Sequence, residues 1–424
     1  MGIKPVFRPL ARAFGAAVVF KHSHALALTA FTTTMICAIL VPSSAFAMRT
    51  WVVSPDGLGD APTIQAALDS AQVGDAVILE GGTYYEHDIQ LKSGVLLTSV
   101  TGQPDCAAID AGTDGGVMSG VDLGPDTRVV GITLTHGVAT CREDGYGNLE
   151  CFGGGMFLLR ATLTIVNCVF ADNITTMGPS QAVGEGGGIY CYESYLTLTD
   201  CTFDGNMSQW GGGIYSEAST VSLTGCRFYD NVAEWNGGGL HSFRSNFTLT
   251  GCVFVRNSTL VGRGMGGGVY AHVWPGETNE STIDDCTFSA NYAALSGAGV
   301  IWLSTSQILY VSRTIIAFST HGNAFTRFFS TGGATLECCD LYGNEGGDWV
   351  DEIEDQADVN GNFSLDPRFC AEESDNLSLM QCSPCAPGNH PDGANCRQIG
   401  ALPVACPGTD VEETTWGRIK SIFR

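Results

Sequence analysis

Gly186-Gly187-Gly188-Ile189-Tyr190-Cys191-Tyr192-Glu193-Ser194-Tyr195-Leu196-Thr197-Leu198-Thr199-Asp200-Cys201-Thr202-Phe203-Asp204-Gly205-Asn206 decides the fold. A glycine triplet opens this stretch, short alternating apolar runs follow, and Cys-x-Phe-x-x-Asn closes it. The closing motif occurs at Cys168/Phe170/Asn173, Cys201/Phe203/Asn206, Cys226/Phe228/Asn231, Cys252/Phe254/Asn257 and Cys286/Phe288/Asn291. Leu341 replaces Phe in Cys339/Leu341/Asn344, and a degenerate copy lies around Arg313 to Phe318. Successive copies are 33, 25, 26, 34, 27 and 26 residues apart. The opening triplets, at Gly153, Gly186, Gly211, Gly237 and Gly266, keep the same order, and Gly297-Ala298-Gly299 is a sixth.

A repeat of about 25 residues with period-2 alternation points to a stacked solenoid, because no single repeat can bury its own inner face. Within one copy, Ile189/Cys191, Leu196/Leu198 and Cys201/Phe203 define three short strands separated by turn residues. Each strand pairs in parallel with its copy in the next rung, about 4.8 Å away. Phe then stacks on Phe inside the coil, and Asn on Asn along a corner, where Asn suits a left-handed backbone conformation. Glycine triplets allow tight corners. A propeller blade needs a longer period, and a leucine-rich repeat a different leucine spacing. The expected fold is therefore all-β, a parallel β-helix. Thr63–Ser70, with Ile64, Ala67 and Leu68 on one face, is expected as a helix capping its N-terminal end.

Composition agrees. Glycine supplies 55 of 424 residues, nearly twice the usual share, and only 15% of residues are charged. The 44% apolar content excludes a disordered chain. Twenty Lys+Arg against 44 Asp+Glu leave no basic footprint for nucleic acid.

Residues 1–47 read as a cleaved secretory leader. Lys4, Arg8, Arg12 and Lys21 precede the apolar run Ala25 to Val41, and Ala45-Phe46-Ala47 is a small-x-small cleavage signal. The run is too short and too rich in threonine for a membrane span, and none is expected after it. Loss of four basic residues takes the net charge from −24 to −28. The remaining organisation reads as a β-helix over 48–365 with clear repeats over 153–344, a Cys-rich, loop-rich segment over 366–406, and a linker with a basic and aromatic tail over 407–424.

Sixteen cysteines remain after the leader, an even number in an exported chain. Cys168, Cys201, Cys226, Cys252, Cys286 and Cys339 fall on one inward column, where in-register Cβ vectors suit small buried thiols better than disulfides. Cys141 and Cys151 flank a polar loop and are expected to staple it. Cys370, Cys382, Cys385, Cys396 and Cys406 are expected to form structural disulfides of unspecified pairing. Cys382-Ser383-Pro384-Cys385 has redox or zinc spacing, but neither a following helix nor a second matching pair.

The Gly-Gly-Gly-[Ile/Leu/Val] and Phe-x-x-Asn pair resembles the repeats of chlamydial polymorphic outer-membrane proteins. Pro62-Thr63-Ile64-Gln65-Ala66-Ala67 through Gly81-Gly82-Thr83-Tyr84 resembles the opening of pectin-lyase-like right-handed β-helix proteins. Together these cover roughly residues 51–345. The resemblance implies a right-handed coil, in line with the handedness of parallel crossovers. It also implies a bacterial protein that is secreted or associated with the cell surface or outer membrane. The 79 residues after Glu345 lack serial ten-residue alternating strands, so no membrane barrel is expected among them.

Enzymes of this fold use acidic clusters or an Arg/Lys base on neighbouring rungs. Asp284-Asp285 reads as a solvated pair at a turn. Asp172, Asp204 and Asp230 form an acidic stripe that could offer oxygens to Ca²⁺, short of the six to eight such a site needs. Gly417-Arg418-Ile419-Lys420 resembles the Arg-x-Lys element of polygalacturonases, but lies beyond the solenoid without the family's Gly-His-Gly. His136, His241, His272 and His321 read as turn or surface residues. No catalytic, cofactor-binding or metal-binding residue is assigned, and no cofactor is expected. Tyr192, Tyr195, Trp210, Tyr229, Trp235 and Trp274 could stack on sugars, and Gly178–Glu185 and Trp274–Glu280 lengthen two rungs. The sequence thus favours a non-catalytic structural, adhesive or glycan-binding module, with a lyase or hydrolase of acidic polysaccharide as the alternative. The tail, Glu412 to Arg424, reads either as a loosely docked terminus or as an envelope-attachment or sorting signal.

Overall fold

The computed structural model describes residues 48–407 except 140, 144–148, 176–181, 261, 263, 274–279, 304–308 and 329–332. The leader and the tail readings lie outside the described residues.

The rung Gly186–Trp210 shows how the sequence makes the coil. Its strands are Ile189–Tyr192, Tyr195–Thr199, Thr202–Asp204 and Met207–Trp210. Between them stand Glu193, Asp200, Gly205 and, opening the next rung, Gly211, all with φ between 48° and 66°. Each left-handed residue turns the chain, and a small residue follows: Ser194, Cys201, Asn206, Gly212. The expectation that Asn itself takes the left-handed conformation is corrected. Asp172, Gly205, Asp230, Arg256 and Ala290, each just before an Asn, carry the positive φ. The Asn side chain turns inward instead.

The rung also has a fourth strand that period-2 reading does not find. Among the described residues, parallel sheets of eleven, ten and nine strands run the length of the coil. A six-stranded sheet, built from Cys141–Glu143, Leu149–Phe152, Ala182–Glu185, Met207–Trp210, Val232–Asn236 and Ser258–Thr259, lies beside them. In its middle strands Ser208 and Ala233 face inward, the one polar and both small, so neither signals a strand.

Three of the four corners carry a ladder. Asn173, Asn206, Asn231, Asn257 and Asn291 are fully buried, and each of the first four donates its Nδ2 to the Oδ1 of the next at 2.9–3.0 Å. A second ladder, not foreseen, runs through serines. Ser219 Oγ accepts the Ser194 N–H at 3.0 Å, and Ser245 Oγ the Ser219 N–H at 2.9 Å. The cysteine column is the third. All six expected column thiols are buried and free. Cys201 Sγ donates to the carbonyls of Thr199 and, one rung away, Ile165. In the degenerate copy Thr314 takes the cysteine's place, and its hydroxyl donates to Ser312 O at 2.8 Å. The column thus needs a small donor, and the thiol serves as one.

Phe170, Phe203, Phe228, Phe254 and Phe288 stack at 4.4–4.9 Å within 8° of parallel. The helix Ile64–Ser70 forms as expected, capped by Thr63 Oγ1 accepting the Ala66 N–H, with Ile64, Ala67 and Leu68 buried. At the other end, Ile353 of the 3₁₀ helix Asp351–Gln356 is buried in the main core, with Trp349 packed against it. The Gln356 amide bonds both Leu336 N and Ala334 O on the last strand of the eleven-stranded sheet. The chain then folds back along the coil. Phe363, Phe369, Leu377, Leu379 and Ile399 cover Val253, Val255, Ile315 and Ala317 on the outer face of the ten-stranded sheet.

Disulfides join Cys141–Cys151, Cys338–Cys396 and Cys370–Cys406. The first staple is the one expected. Cys338, adjacent to the column in sequence, faces outward and partners Cys396. Cys382 and Cys385, expected among the structural disulfides, instead carry free thiols.

Candidate functional site

In the nine-stranded sheet the first and third residues of the strands between Met156 and His272 point into the core: Ile189 and Cys191, Ile214 and Ser216, Leu240 and Ser242. The second and fourth therefore face outward. Parallel register stacks the second residues in a row: Gln90, Ser119, Phe157, Tyr190, Tyr215, His241, Tyr270. Phe157 stacks on Tyr190 at 5.7 Å, and Tyr190 on Tyr215 at 5.6 Å, both within 5° of parallel. The fourth residues make a second row that includes Tyr192, Glu217, Phe243 and His272.

The six-stranded sheet stands along one side of these rows and brings Phe152, Glu185 and Trp210 into register with one another. Phe152 meets Tyr190 at 4.5 Å, and Trp210 lies on Trp235 at 6.2 Å. Tyr190, Tyr215, His241 and Tyr270 are buried although they face outward from the coil. Toward the N-terminal end the trough opens into a cavity of about 170 Å³ lined by Asp88, Gln90, Ser119, Phe152 and Phe157, with glycine and Met118 at its base.

Beside this cavity three carboxyl groups gather. The Glu185 carboxyl is pushed up to about 8, first by burial and then by the neighbouring charge of Glu217, with Glu150 adding to it. Burial also raises Glu217, against the opposing effect of Arg244. The site thus places a carboxyl whose burial favours its protonated form, two further carboxyl groups and aromatic faces on neighbouring rungs.

His241 and His272 depart from the surface reading. The His241 ring is buried, 5.5 Å from that of His272 and packed between Tyr215 and Tyr270 at 4.8 Å each. Burial holds His241 well below the ordinary histidine range and takes His272 down to about 4, so both are neutral. His136 does sit at a turn, with φ 53° and its Nδ1 3.0 Å from Asp110, and His321 is exposed against Tyr292.

Asp284 and Asp285 are not merely solvated. Arg313 binds both, at 2.7 Å from its Nε to Asp285 Oδ1 and through Nη2 to Asp284. In the acidic stripe Asp230 takes both arms of Arg256, at 2.7 and 2.8 Å, and Arg256 also reaches Asp375. Burial, then Asp230 and Asp172, raise Asp204. Of the proposed stacking residues, Tyr192, Trp210 and Trp235 line the trough. Tyr195 lies on the eleven-stranded sheet, Tyr229 packs beneath the C-terminal segment, and Trp274 is outside the described residues. The row Phe157, Tyr190, Tyr215, Tyr270 was not singled out from sequence, yet each sits two residues after the triplet's last glycine.

Residues 187–364 match the family model of the "Right handed beta helix region". This stretch of the coil is a right-handed β-helix. Solved structures to which the chain is similar include pectate lyase Pel9A (TM-score 0.42, 13% identity, 85% of this chain and 98% of that one). The pectin methylesterase from Aspergillus niger gives TM-score 0.35 at 12% identity, over 79% of this chain and 95% of that one. A Yersinia enterocolitica family 28 exopolygalacturonase gives 0.32 at 11%, over 68% and 78%. A search of curated proteins found no matching relative. Among the described residues no helix is long and apolar enough to cross a membrane.

Proposed function

We propose that this chain is an exported β-helix protein that binds an extended polysaccharide along the outer face of the nine-stranded sheet. The observation that carries the reading is the open cavity where Phe152 and Phe157 stand beside Gln90 and Ser119. Aromatic faces beside amide and hydroxyl groups suit the alternating apolar and polar surfaces of a sugar ring. Repetition by rung suits a polymer, which can engage the trough at successive turns. The acidic side chains Asp88, Glu150 and Glu217, with no basic residue among the described residues that line the cavity, favour neutral or amino sugars over uronates. Ca²⁺ is not required for this binding. The leader sequence and the disulfides support export, and the basic, aromatic tail supports retention at the cell envelope.

The test is a glycan array followed by calorimetry on neutral, amino-sugar and uronate oligosaccharides, with and without Ca²⁺. Neutral or amino-sugar oligomers should bind, and F157A should weaken them at least tenfold. Failure of every glycan to bind, or equal binding by F157A, sinks the reading. Deleting residues 411–424 should release the protein from the envelope, and unchanged fractionation rejects the attachment role.

The raised carboxyl of Glu185 favours a second reading, a glycoside hydrolase in which Glu185 is the general acid. Release of reducing ends from a bound oligosaccharide, abolished by E185Q, would establish it in place of simple binding.

A further inference from the structure

Asp340 opens the last strand of the ten-stranded sheet, and its side chain is fully buried. Oδ1 accepts the Leu365 N–H at 3.1 Å, and Oδ2 accepts the Cys385 thiol at 3.2 Å. Asp348 and Asp366 lie near enough to disfavour its charge. A buried carboxyl whose side-chain partner is a thiol is costly to keep if only packing is required, since serine or asparagine would bond the same groups.

Cys385 is buried, while Cys382, three residues earlier, is partly exposed. The loop between them is fixed. Ser383 Oγ donates to Pro367 O at 2.6 Å and accepts the Cys385 N–H at 3.1 Å. The Ala386 N–H closes a turn onto Ser383 O, and Asn389 Nδ2 donates to the carbonyls of Gln381 and Ser383. The neighbouring cysteines are engaged elsewhere, as Cys338–Cys396 and Cys370–Cys406. Outside the coil's interior, then, this is a dithiol with one accessible sulfur and one sulfur bonded to a buried acid.

We propose that Cys382 and Cys385 form a reversible dithiol–disulfide couple that exchanges with low-molecular-weight disulfides, with Asp340 as the proton acceptor of Cys385. Cys382 gives its proton to water, and its thiolate attacks one sulfur of R–S–S–R. The external S–S bond breaks, RS⁻ leaves and is protonated, and Cys382 holds a mixed disulfide. Cys385 then passes its proton to Asp340 Oδ2 and attacks Cys382 Sγ. The second RS⁻ leaves and is protonated, and the Cys382–Cys385 bond forms. Two protein thiols are oxidised and one external disulfide is reduced to two thiols. A helix after the motif, which usually helps the first thiol to ionise, is absent here. The buried carboxylate serves the second step, where a buried thiol has no water to receive its proton. Burial and nearby acids bring the Asp340 carboxyl up to about 8, closer to a thiol than an ordinary aspartate, so it accepts the Cys385 proton only in its ionised form and the resolving step speeds up as pH rises toward 8.

The full chain is equilibrated in glutathione buffers from fully reduced to fully oxidised, quenched with an alkylating agent, and mapped by peptide mass. The Cys382–Cys385 pair should titrate reversibly while the three other disulfides stay closed. On addition of oxidised glutathione, C385S should stop as a one-to-one glutathione adduct at Cys382. D340N keeps an acceptor for Leu365 N–H, and should accumulate the same adduct with its resolution slowed at least tenfold. An adduct at Cys382 that resolves equally fast in D340N removes Asp340 from the step. Absence of both the adduct in C385S and the reversible pair in the wild type overturns the proposal.

Discussion

Asn231→Ala tests whether the corner ladder, and not only the aromatic column, holds the coil. Asn231 Oδ1 accepts two bonds from Asn206, its N–H at 3.1 Å and its Nδ2 at 2.9 Å. Asn231 Nδ2 donates to Phe203 O and to Asn257 Oδ1, both at 2.9 Å. Truncation leaves the Asn206 N–H, one Asn206 amide hydrogen and the Phe203 carbonyl without these partners in a fully buried corner. At about 1–3 kcal/mol for each unsatisfied buried group, with some relief from entering water, the expected loss is about 3–6 kcal/mol. Asn231→Asp keeps the shape but turns an acceptor toward Phe203 O and Asn257 Oδ1. It should cost at least as much at neutral pH and recover part of the loss once protonated. Thr248→Ala, on the exposed face of the eleven-stranded sheet, is the control, expected within about 0.5 kcal/mol of wild type. Urea unfolding followed by far-UV circular dichroism gives all three values. A loss in N231A below about 1 kcal/mol, or one no larger than in T248A, would refute the ladder's energetic role.

Gly213→Ala should be severe for another reason: its Cβ would meet Gly239 O at 2.5 Å and the Phe228 ring at 2.9 Å. A loss of about 3 kcal/mol or more is expected in the same urea assay. Gly251→Ala, with φ 63° and open space, should lose only about 1 kcal/mol. Stability should also fall as pH rises. Glu185 and Asp340 have folded-state values raised to about 8 from ordinary values of 4.5 and 3.8, so the native state holds more protons between those limits. The contribution is complete below about pH 4 and lost through pH 8, on the order of 4 kcal/mol for fully buried Asp340 between pH 5 and 8. Thermal melts at pH 5, 6.5 and 8 should show this slope reduced in D340N, and an unchanged slope contradicts the assignment. Arg313→Ala should cost only about 1 kcal/mol, because its pairs with Asp284 and Asp285 are partly exposed, and added salt should shrink the difference.

The coil was legible because its inward residues are chemically loud. Phe203 over Phe228, Cys201 over Cys226 and Asn206 over Asn231 repeat at one spacing and name their own columns. The fourth strand was not, since Met207–Trp210 and Val232–Asn236 point serine and alanine inward and share no pattern with each other. The left-handed positions were misplaced onto Asn because they accept Asp, Gly, Arg and Ala alike, which leaves no consensus to read. His241 was read as a surface residue because its strand position faces outward. Its burial comes from neighbours on other rungs and on the six-stranded sheet, which a single repeat does not reveal. The trough suffered the same loss. Phe157, Tyr190, Tyr215 and Tyr270 do repeat, but only knowledge of the flanking sheet distinguishes a binding face from ordinary strand aromatics. Cys382 and Cys385 were grouped with the structural disulfides because their count and spacing say nothing about Asp340, 45 residues from Cys385 in sequence.

The four-cornered turn carries a consequence for how such a chain can change in length. From Gly153 to Gly267 each corner closes with a left-handed residue and a small one, so each of these turns is a self-similar unit of translation along the axis. Duplicating or losing one whole turn, from any starting point, leaves each remaining side chain with an equivalent neighbour above and below. Surplus that is not a whole turn must collect between the strands, at the corners. The 33-residue step from Cys168 to Cys201 does this: its eight residues beyond the 25-residue turn all fall between Asn173 and Gly186. The length of the coil is therefore free to drift in whole turns, while sequence novelty is confined to the loops at its corners.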